Sequence, residues 1–187
     1  MTVEPDHVTA PVVIGVDLSV RSTGIAHADG DYEVFRPESD PTANHGMDRC
    51  VEIRDHVLAV CDVVDLELVM LEGLAFAAHD NARQLAMLAG IIRMALYDGG
   101  HAFLTVVPGT LKKYATGKGN ASKEAVVDAA QKRLRYQGYD NNEADALWLR
   151  AIGWELVGVP LVEMPQTHRD ALKELLKRVP AYKGSAT

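Results

Sequence analysis

Cysteine is scarce in this chain, with two residues among 187. Cys50 and Cys61 both fall in one predicted helix, where a rise of about 1.5 Å per residue places them roughly 16 Å apart, beyond the reach of a disulfide. Neither has a second cysteine or a histidine at the spacing of a zinc site. We therefore expect two reduced cysteines that act as packing residues.

Long apolar runs are also missing. None approaches the roughly 20 residues that span a bilayer, and residues 1–7 have neither the basic nor the apolar region of a secretory signal. We therefore expect a cytoplasmic protein. With 48% hydrophobic and 24% charged residues, the chain can bury one good core. The predicted organisation is an N-terminal tail over residues 1–10, one domain over residues 11–158, and a linker with a C-terminal helical tail over residues 159–187.

The chain has no overall excess of positive charge, since its net charge is −7. This argues against indiscriminate binding of nucleic acid. The distribution of charge is uneven. Residues 108–137 hold seven Lys and Arg residues against two acids, a net charge of +5, and the remainder holds 12 against 24, a net charge of −12. A basic stripe on an acidic body can hold phosphates by releasing counterions. For the helical part of this stripe, the alternative to phosphate binding is an ordinary solvent-exposed helix face.

Apolar patterning predicts an α/β fold with a mixed five-stranded sheet flanked by helices. Three short strands open the chain and are expected to pair antiparallel. The predicted strands span residues 11–17, 23–28, 32–35, 66–72 and 101–107, and the predicted helices span residues 46–64, 81–96, 122–136 and 142–157. Residues 108–121, which are rich in glycine and lysine, are interpreted as a basic loop.

A further helix is predicted in the tail, with Thr167 as its N-cap. Its apolar stripe has to be buried. The helix could pack on its own domain, on a second subunit, or on DNA through its basic residues. The apolar residues are Leu172, Leu175, Leu176 and Val179, and the basic residues are Arg169, Lys173, Lys177 and Arg178.

Two predicted strands end in an acid, Asp17 and Glu72. The carboxyl ends of central strands meet at the ligand crevice of such sheets, so these acids are expected to be neighbours. Asn142 and Asp145 lie three residues apart near the start of a predicted helix and share a face, whereas Glu143 is expected to point elsewhere. Taken singly, turn formation explains a strand-end acid, and capping and the helix dipole explain the helix-start cluster.

Taken together, the oxygen ligands of Asp17, Glu72, Asn142 and Asp145 suit a hard divalent cation, Mg²⁺ or Mn²⁺. Two such ions about 4 Å apart can activate a water and stabilise the leaving oxygen of a phosphodiester. Asp17 would be the natural bridging ligand. The sequence therefore predicts a two-metal site for phosphodiester chemistry.

The cationic segment over residues 108–123 fits the same chemistry, because its lysines can contact phosphates. It is not the phosphate loop of a nucleotide-binding protein, since Gly119 follows Lys118 where that motif requires Ser or Thr.

These motifs resemble those of the RuvC family of Holliday junction resolvases, of a phage type. The similarity runs from about residue 11 to residue 157 in the same order and spacing. It is carried by Ile14-Gly-Val-Asp17 with Ser19, Arg21 and Thr23-Gly24, by Leu71-Glu72, by Lys112 followed by Gly117-Lys-Gly-Asn-Ala-Ser-Lys123, and by Ala144-Asp-Ala-Leu147.

The resemblance implies a ribonuclease-H-like fold, a homodimer, dependence on Mg²⁺ or Mn²⁺, and paired nicks in branched DNA during recombination and repair. Asp17, Glu72 and Asp145 match metal-binding acids of the family. Lys112 and Lys123 match lysines that engage the DNA backbone near the cut, where Lys123 could also stabilise charge that develops on the phosphate. A phage-encoded protein of this kind would act in the host cytoplasm.

The chain departs from the family pattern in two places. Many relatives have a second carboxylate three residues before the last aspartate, whereas this chain has Asn142, with Asp140 or Glu143 as alternative ligands. Phe76 is the candidate for the aromatic wedge that the family often places after the glutamate, although a buried loop phenylalanine fits equally well. The candidate DNA-contacting residues are Lys112, Lys113, Lys118, Lys123, Arg21 and Phe76.

Three other functions stay open at this point. A nuclease of the same fold could cut flaps and forks more broadly, or a protein whose acids merely cap and pack could bind junctions without cutting. The segments Gly15-Val-Asp17 and Thr23-Gly24 also resemble the first phosphate loop of actin-like and sugar-kinase ATPases. That fold normally needs two such domains, for which 187 residues leave little space.

Overall fold

A computed structural model of the protein describes residues 10–74 and 80–179. The strands are β1 (Val12–Asp17), β2 (Thr23–Ala26), β3 (Tyr32–Phe35), β4 (Leu66–Glu72) and β5 (Phe103–Val106). The helices are α1 (Met47–Cys61), α2 (Asp80–Asp98), α3 (Pro108–Thr116), α4 (Lys123–Arg133), α5 (Asn141–Leu156), α6 (Gln166–Arg169) and α7 (Lys173–Leu176), with short 3₁₀ segments at Ala43–Gly46 and Asp170–Leu172.

The strands form one sheet in the order β3-β2-β1-β4-β5. β1 and β2 pair antiparallel, as do β2 and β3, whereas β4 runs parallel to both β1 and β5. The prediction of a mixed five-stranded sheet that opens with an antiparallel meander is therefore confirmed.

Each face of the sheet covers its own apolar core. Val13 of β1 and Met70 of β4 pack on the side of α5, together with α3, α4 and the tail. Ile14 of β1 and Val69 of β4 point to the opposite side, where α1 and α2 lie. Because successive side chains of a strand alternate between faces, every second residue of β1 and β4 is directed toward α5.

Helix α5 lies directly on β1 and β2, and glycine makes this approach possible. A Cβ atom added to Gly15 of β1 would lie 2.1 Å from the carbonyl oxygen of Ala146, and one added to Gly24 of β2 would lie 2.0 Å from that of Asn142. No side chain fits at these distances, so the two glycines fix the height of α5 above the sheet.

The turn from β1 to β2 is held by its own hydroxyl groups. Thr23 is fully buried, and its hydroxyl donates to the carbonyl oxygen of Ser19 at 2.8 Å. The Ser19 hydroxyl accepts from the backbone N–H groups of Arg21 and Ser22, at 3.3 Å each. Side-chain to backbone bonds of this kind stabilise turns, and they give the Ser and Thr of this motif a structural role.

The interpretation of residues 108–121 as a loop is wrong for most of the segment, because Pro108–Thr116 forms α3. Pro108 occupies the first turn, where its missing N–H group is not needed, and Gly117 ends the helix with a φ of 83°. Leu111, Tyr114 and Ala115 lie on one side and are buried, so a helical face that packs on the core outweighs the glycine and lysine content.

The tail packs on its own domain. Leu172 and Leu175 join the core on the α5 side, whereas Leu176 is 51% exposed. The predicted Thr167 cap is wrong, since α6 begins at Gln166 and Pro165 takes the N-cap position. The extended conformation of Pro165 (φ −54°, ψ 145°) starts the helix two residues before the predicted position.

Most of the basic side chains in the tail pair with acids. Nε of Arg169 lies 2.6 Å from Oε1 of Glu155, whose side chain is only 6% exposed. The Tyr114 hydroxyl of α3 donates to the other oxygen of Glu155 at 3.2 Å. Lys173 and Lys177 form ion pairs with neighbours three residues away. The described part of the tail, residues 159–179, therefore has little unpaired charge to offer to DNA.

Cys50 and Cys61 are both buried and free, as predicted. Among the described helices, none is both long and apolar enough to cross a membrane.

Candidate active site

The ends of β1 and β4 bring Asp17 and Glu72 together. These strands are parallel neighbours, and Val16 pairs with Leu71, so the following residues, both acids, end side by side. The alternation of the strands directs both toward the α5 side of the sheet. Their carboxyl groups are close enough for each to affect the pKa of the other.

Asp145 reaches the same place from the second turn of α5. Its charge contributes to the environment of Asp17, and the charge of Glu72 acts in turn on Asp145. Gly15 and Gly24 allow this contact, because they let α5 lie against β2 and against β1, the strand that carries Asp17. Three acids that are distant in the sequence therefore converge at one end of the sheet.

The three carboxyl groups resist simultaneous ionisation. Burial raises the pKa of Asp17 well above its usual range, and the charge of Glu72 raises it further. Burial likewise raises the pKa of Glu72. The pKa of Asp145 is raised to about 7, first by burial and then by the charge of Glu72. A buried group of like charges needs a proton or a cation to neutralise it.

Two lysines lie close enough to oppose this effect. Lys123, the first residue of α4, lowers the pKa of all three acids, and Lys112 of α3 lowers those of Glu72 and Asp145. Since Lys123 is exposed, its ammonium group is available to a phosphate. The site therefore places two cations beside a cluster of carboxylates.

The other candidate DNA-contacting residues that the structure describes do not shift the pKa values of the three acids. Lys113 is exposed and acts on Asp170 of the tail rather than on the three acids. Lys118 is exposed in the segment that follows α3, and Arg21 is exposed in the turn from β1 to β2. Phe76 lies outside the described residues.

Asn142 lies one helical turn before Asp145, and its side chain points at the turn from β1 to β2. Its Nδ2 donates to the Ser22 hydroxyl at 2.9 Å, which leaves the amide oxygen as its acceptor. Ser22 is a site neighbour that the sequence analysis missed. A separation of 120 residues gives no local signal for such a contact.

The two alternative ligands are engaged elsewhere. Asp140 caps α5 by accepting from the backbone N–H of Asn142 at 2.8 Å, and it lies 3.6 Å from Arg36. Glu143 accepts from the Tyr136 hydroxyl at 2.6 Å. Neither is among the groups that shift the pKa values of the three acids.

Across the described ranges, no group of three or more His, Cys, Asp or Glu side chains forms a preformed metal cage. The donor set nevertheless fits a hard divalent cation. It offers only oxygen atoms, and its three carboxyl groups outnumber the two lysines beside them. A cation that draws Asp17, Glu72 and Asp145 together would remove the repulsion that raises their pKa values.

Comparisons with known proteins identify relatives of part of this sequence. No family model matches the chain. It is 27% identical over 118 residues to the crossover junction endodeoxyribonuclease RuvC of Synechococcus sp. strain CC9311, a match that covers 62% of this chain and 73% of the relative. It is 28% identical over 127 residues to the enzyme of the same name from Treponema denticola, covering 65% of this chain and 71% of the relative.

Solved structures show the same fold. The structure of Thermus thermophilus RuvC matches with a TM-score of 0.62 at 21% identity, covering 82% of this chain and 99% of that one. RuvC of T. thermophilus in complex with a Holliday junction substrate matches with a TM-score of 0.61 at 18% identity, with the same coverage.

The protein thus has a ribonuclease-H-like fold with acids gathered at one end of its sheet. Within that class it is distantly related to the RuvC family of crossover junction endodeoxyribonucleases. The phage-type detail stays a prediction.

Proposed function

We propose that the protein is a metal-dependent endonuclease that cuts branched DNA and resolves four-way junctions by paired symmetric nicks. The observation that carries the proposal is the convergence of Asp17, Glu72 and Asp145 beside Lys123. The names of its relatives support the same reaction, since both are crossover junction endodeoxyribonucleases.

Asp17, Glu72 and Asp145 would hold Mg²⁺ or Mn²⁺, with the amide oxygen of Asn142 as a fourth donor. When bound, such ions activate the attacking water and stabilise the leaving oxygen of a phosphodiester. Lys123 and Lys112 would hold the DNA backbone beside the acids, and Lys123 would also stabilise the charge that develops on the phosphate. Lys113, Lys118 and Arg21 would extend the contact to neighbouring phosphates.

Paired nicks require two sites, and we propose a homodimer that presents one to each of two opposing strands. Helix α2 supports self-association, since Met94 and Tyr97 are 61% and 74% exposed on one of its faces. Large exposed apolar side chains that adjoin one another are typical of protein interfaces.

Incubation with labelled substrates tests the function directly. A four-way junction, a flap and a linear duplex are each incubated with the protein, with and without Mg²⁺. We expect symmetric nicks in the junction alone, and only with metal. Cutting of flaps or duplex as well would indicate a broader nuclease, binding without cutting would indicate a silent junction binder, and ATP hydrolysis would indicate the kinase-like alternative.

The pH dependence of stability tests the metal separately from catalysis. The folded-state pKa of Asp145 is about 7, against about 3.9 for an unfolded aspartate, so its contribution is fully present below about pH 4 and lost as the pH rises toward 7. In a chelator, we therefore expect the melting temperature to fall by roughly 5–10 °C between pH 5 and pH 8. Mg²⁺ should restore more stability at pH 8 than at pH 5.

Asp145→Asn is the matched control for this measurement, because an amide cannot titrate. Its melting temperature in chelator should vary less with pH than that of the wild type. Equal pH profiles for the two proteins, or an equal effect of Mg²⁺ at both pH values, would contradict the assignment of Asp145 to the metal.

A further inference from the structure

The segment between α4 and α5 presents one aromatic ring to solvent and buries another. In this segment, residues 134–140, which we name the platform loop, Tyr139 is 85% exposed whereas Tyr136 is 3% exposed. The Tyr136 ring packs edge-on against Tyr32, with centroids 5.1 Å apart. The loop is therefore anchored by an inner ring, and its outer ring has its apolar area available to a partner.

Hydrogen bonds hold the backbone on both sides of Tyr139. The carbonyl oxygen of Gly138 accepts from Nε2 of Gln131 at 2.9 Å. The N–H of Asp140 donates to the Tyr136 hydroxyl at 2.9 Å. The exposed ring thus projects from a fixed point, which reduces the conformational entropy lost when it binds a partner.

The platform loop lies at the end of the sheet that carries the acids. β3 ends where β1 ends, because β2 runs back between them, so Arg36, which follows β3, lies at the same end as Asp17. Nη2 of Arg36 is 3.6 Å from Oδ2 of Asp140, the residue after Tyr139. In the sequence, Asp145 of α5 follows Tyr139 by only six residues.

Two arginines lie in or beside the platform loop, and one acid, Asp140, pairs with the first of them. The Arg36 side chain is 64% exposed, and Arg135 is exposed within the platform loop itself. Exposed cations beside an apolar ring are a poor surface for an apolar protein partner. They match a polyanion that also offers flat aromatic faces, which describes nucleic acid with unpaired bases.

We propose that Tyr139 is a stacking platform for an unpaired DNA base beside the candidate cleavage site, with Arg36 and Arg135 on the flanking phosphates. This inference rests on the proposed nuclease function and adds a base contact to it. Stacking tolerates any base, since every base has a π face. The platform would therefore favour opened DNA at the centre of a branch over continuous duplex, without a sequence preference of its own.

Fluorescence of 2-aminopurine tests the proposal in the full chain. The base is placed next to the crossover of a four-way junction, and also in a single-stranded oligonucleotide, and each probe is titrated with protein in a chelator to prevent cutting. We expect the wild type and Tyr139→Phe to quench the probe equally. Tyr139→Leu, which keeps an apolar side chain but no ring, should lose most of the quenching and bind about 5-fold to 100-fold more weakly.

The arginines provide a separate readout. Arg135→Ala should keep the quenching at saturation but reduce the slope of log affinity against log salt by about 0.7 to 0.9, the value for one lost phosphate contact. Melting temperatures of all variants confirm that each is folded.

The outcomes distinguish the platform from the nuclease. Equal affinity and quenching for Tyr139→Leu and Tyr139→Phe would overturn the platform alone. Quenching that depends on the ring, in a protein that does not cut junctions, would support the platform and overturn the proposed function. A wild-type protein that binds neither probe would overturn both.

Discussion

Asp17→Asn is expected to slow junction cutting at least about a hundredfold, the loss that follows even when the outer partners of metal ligands are removed. Asp17 is 5% exposed and interacts with both other acids. Asparagine keeps its shape but not its charge, so affinity for a divalent cation should fall while junction binding persists. Single-turnover cleavage of a labelled junction measures the first effect, and titration in a chelator measures the second.

Loss of folding would not account for this result. Because removal of one charge relieves the repulsion among the three acids, the free energy of unfolding of Asp17→Asn in a chelator should equal or exceed that of the wild type. Glu72→Gln and Asp145→Asn should behave in the same way. Asp62→Asn, an exposed substitution directly after α1, is the matched control and should cut normally. Normal turnover by any of the three site variants would remove that residue from the active site.

The second large effect is expected from Gly15→Ala, through packing rather than chemistry. Its new Cβ would lie 2.1 Å from the carbonyl oxygen of Ala146 and 2.6 Å from the backbone nitrogen of Arg150. Both neighbours are backbone atoms of α5 and cannot turn aside, so the helix must move. We expect a loss of about 3 kcal/mol in the free energy of unfolding, at the upper end for an overpacked core, measured by chemical denaturation.

Displacement of α5 should also slow junction cutting in Gly15→Ala, since the helix carries Asp145. The control is Gly90→Ala in α2, where a Cβ would meet nothing within 4 Å. Alanine is the better helix former by about 1 kcal/mol, so this variant should be at least as stable as the wild type. If Gly15→Ala proved as stable as Gly90→Ala, the backbones of β1 and α5 would not be in close contact.

The proximity of Asp17 and Glu72 could be predicted from the sequence because both acids directly follow compact apolar runs. Parallel strands bring their carboxyl ends to one edge, and β4 has the predicted bounds of Leu66–Glu72. Alternation of side chains then decides which face each acid occupies. The roles of these acids as metal ligands stay a prediction.

Features that depend on packing between distant segments could not be predicted. Residues 108–116 are helical because Leu111 and Tyr114 find a core on the α5 side, whereas their composition favours a loop. The bond between Asn142 and Ser22 likewise depends on the height of α5 above the sheet. That height is set by backbone contacts at Gly15 and Gly24, for which the sequence shows only two glycines in strands.

The ion pair between Glu155 and Arg169 has a consequence for how the chain unfolds. The Glu155 side chain is 6% exposed and that of Arg169 is 48% exposed, so loss of the guanidinium would leave a largely buried carboxylate with only the Tyr114 hydroxyl as its partner. Detachment of α6 from the domain would therefore leave the Glu155 carboxylate without its ion-pair partner. Residues 166–176 should therefore unfold in a single cooperative transition with the sheet, and this part of the chain should resist proteases for as long as the sheet is intact.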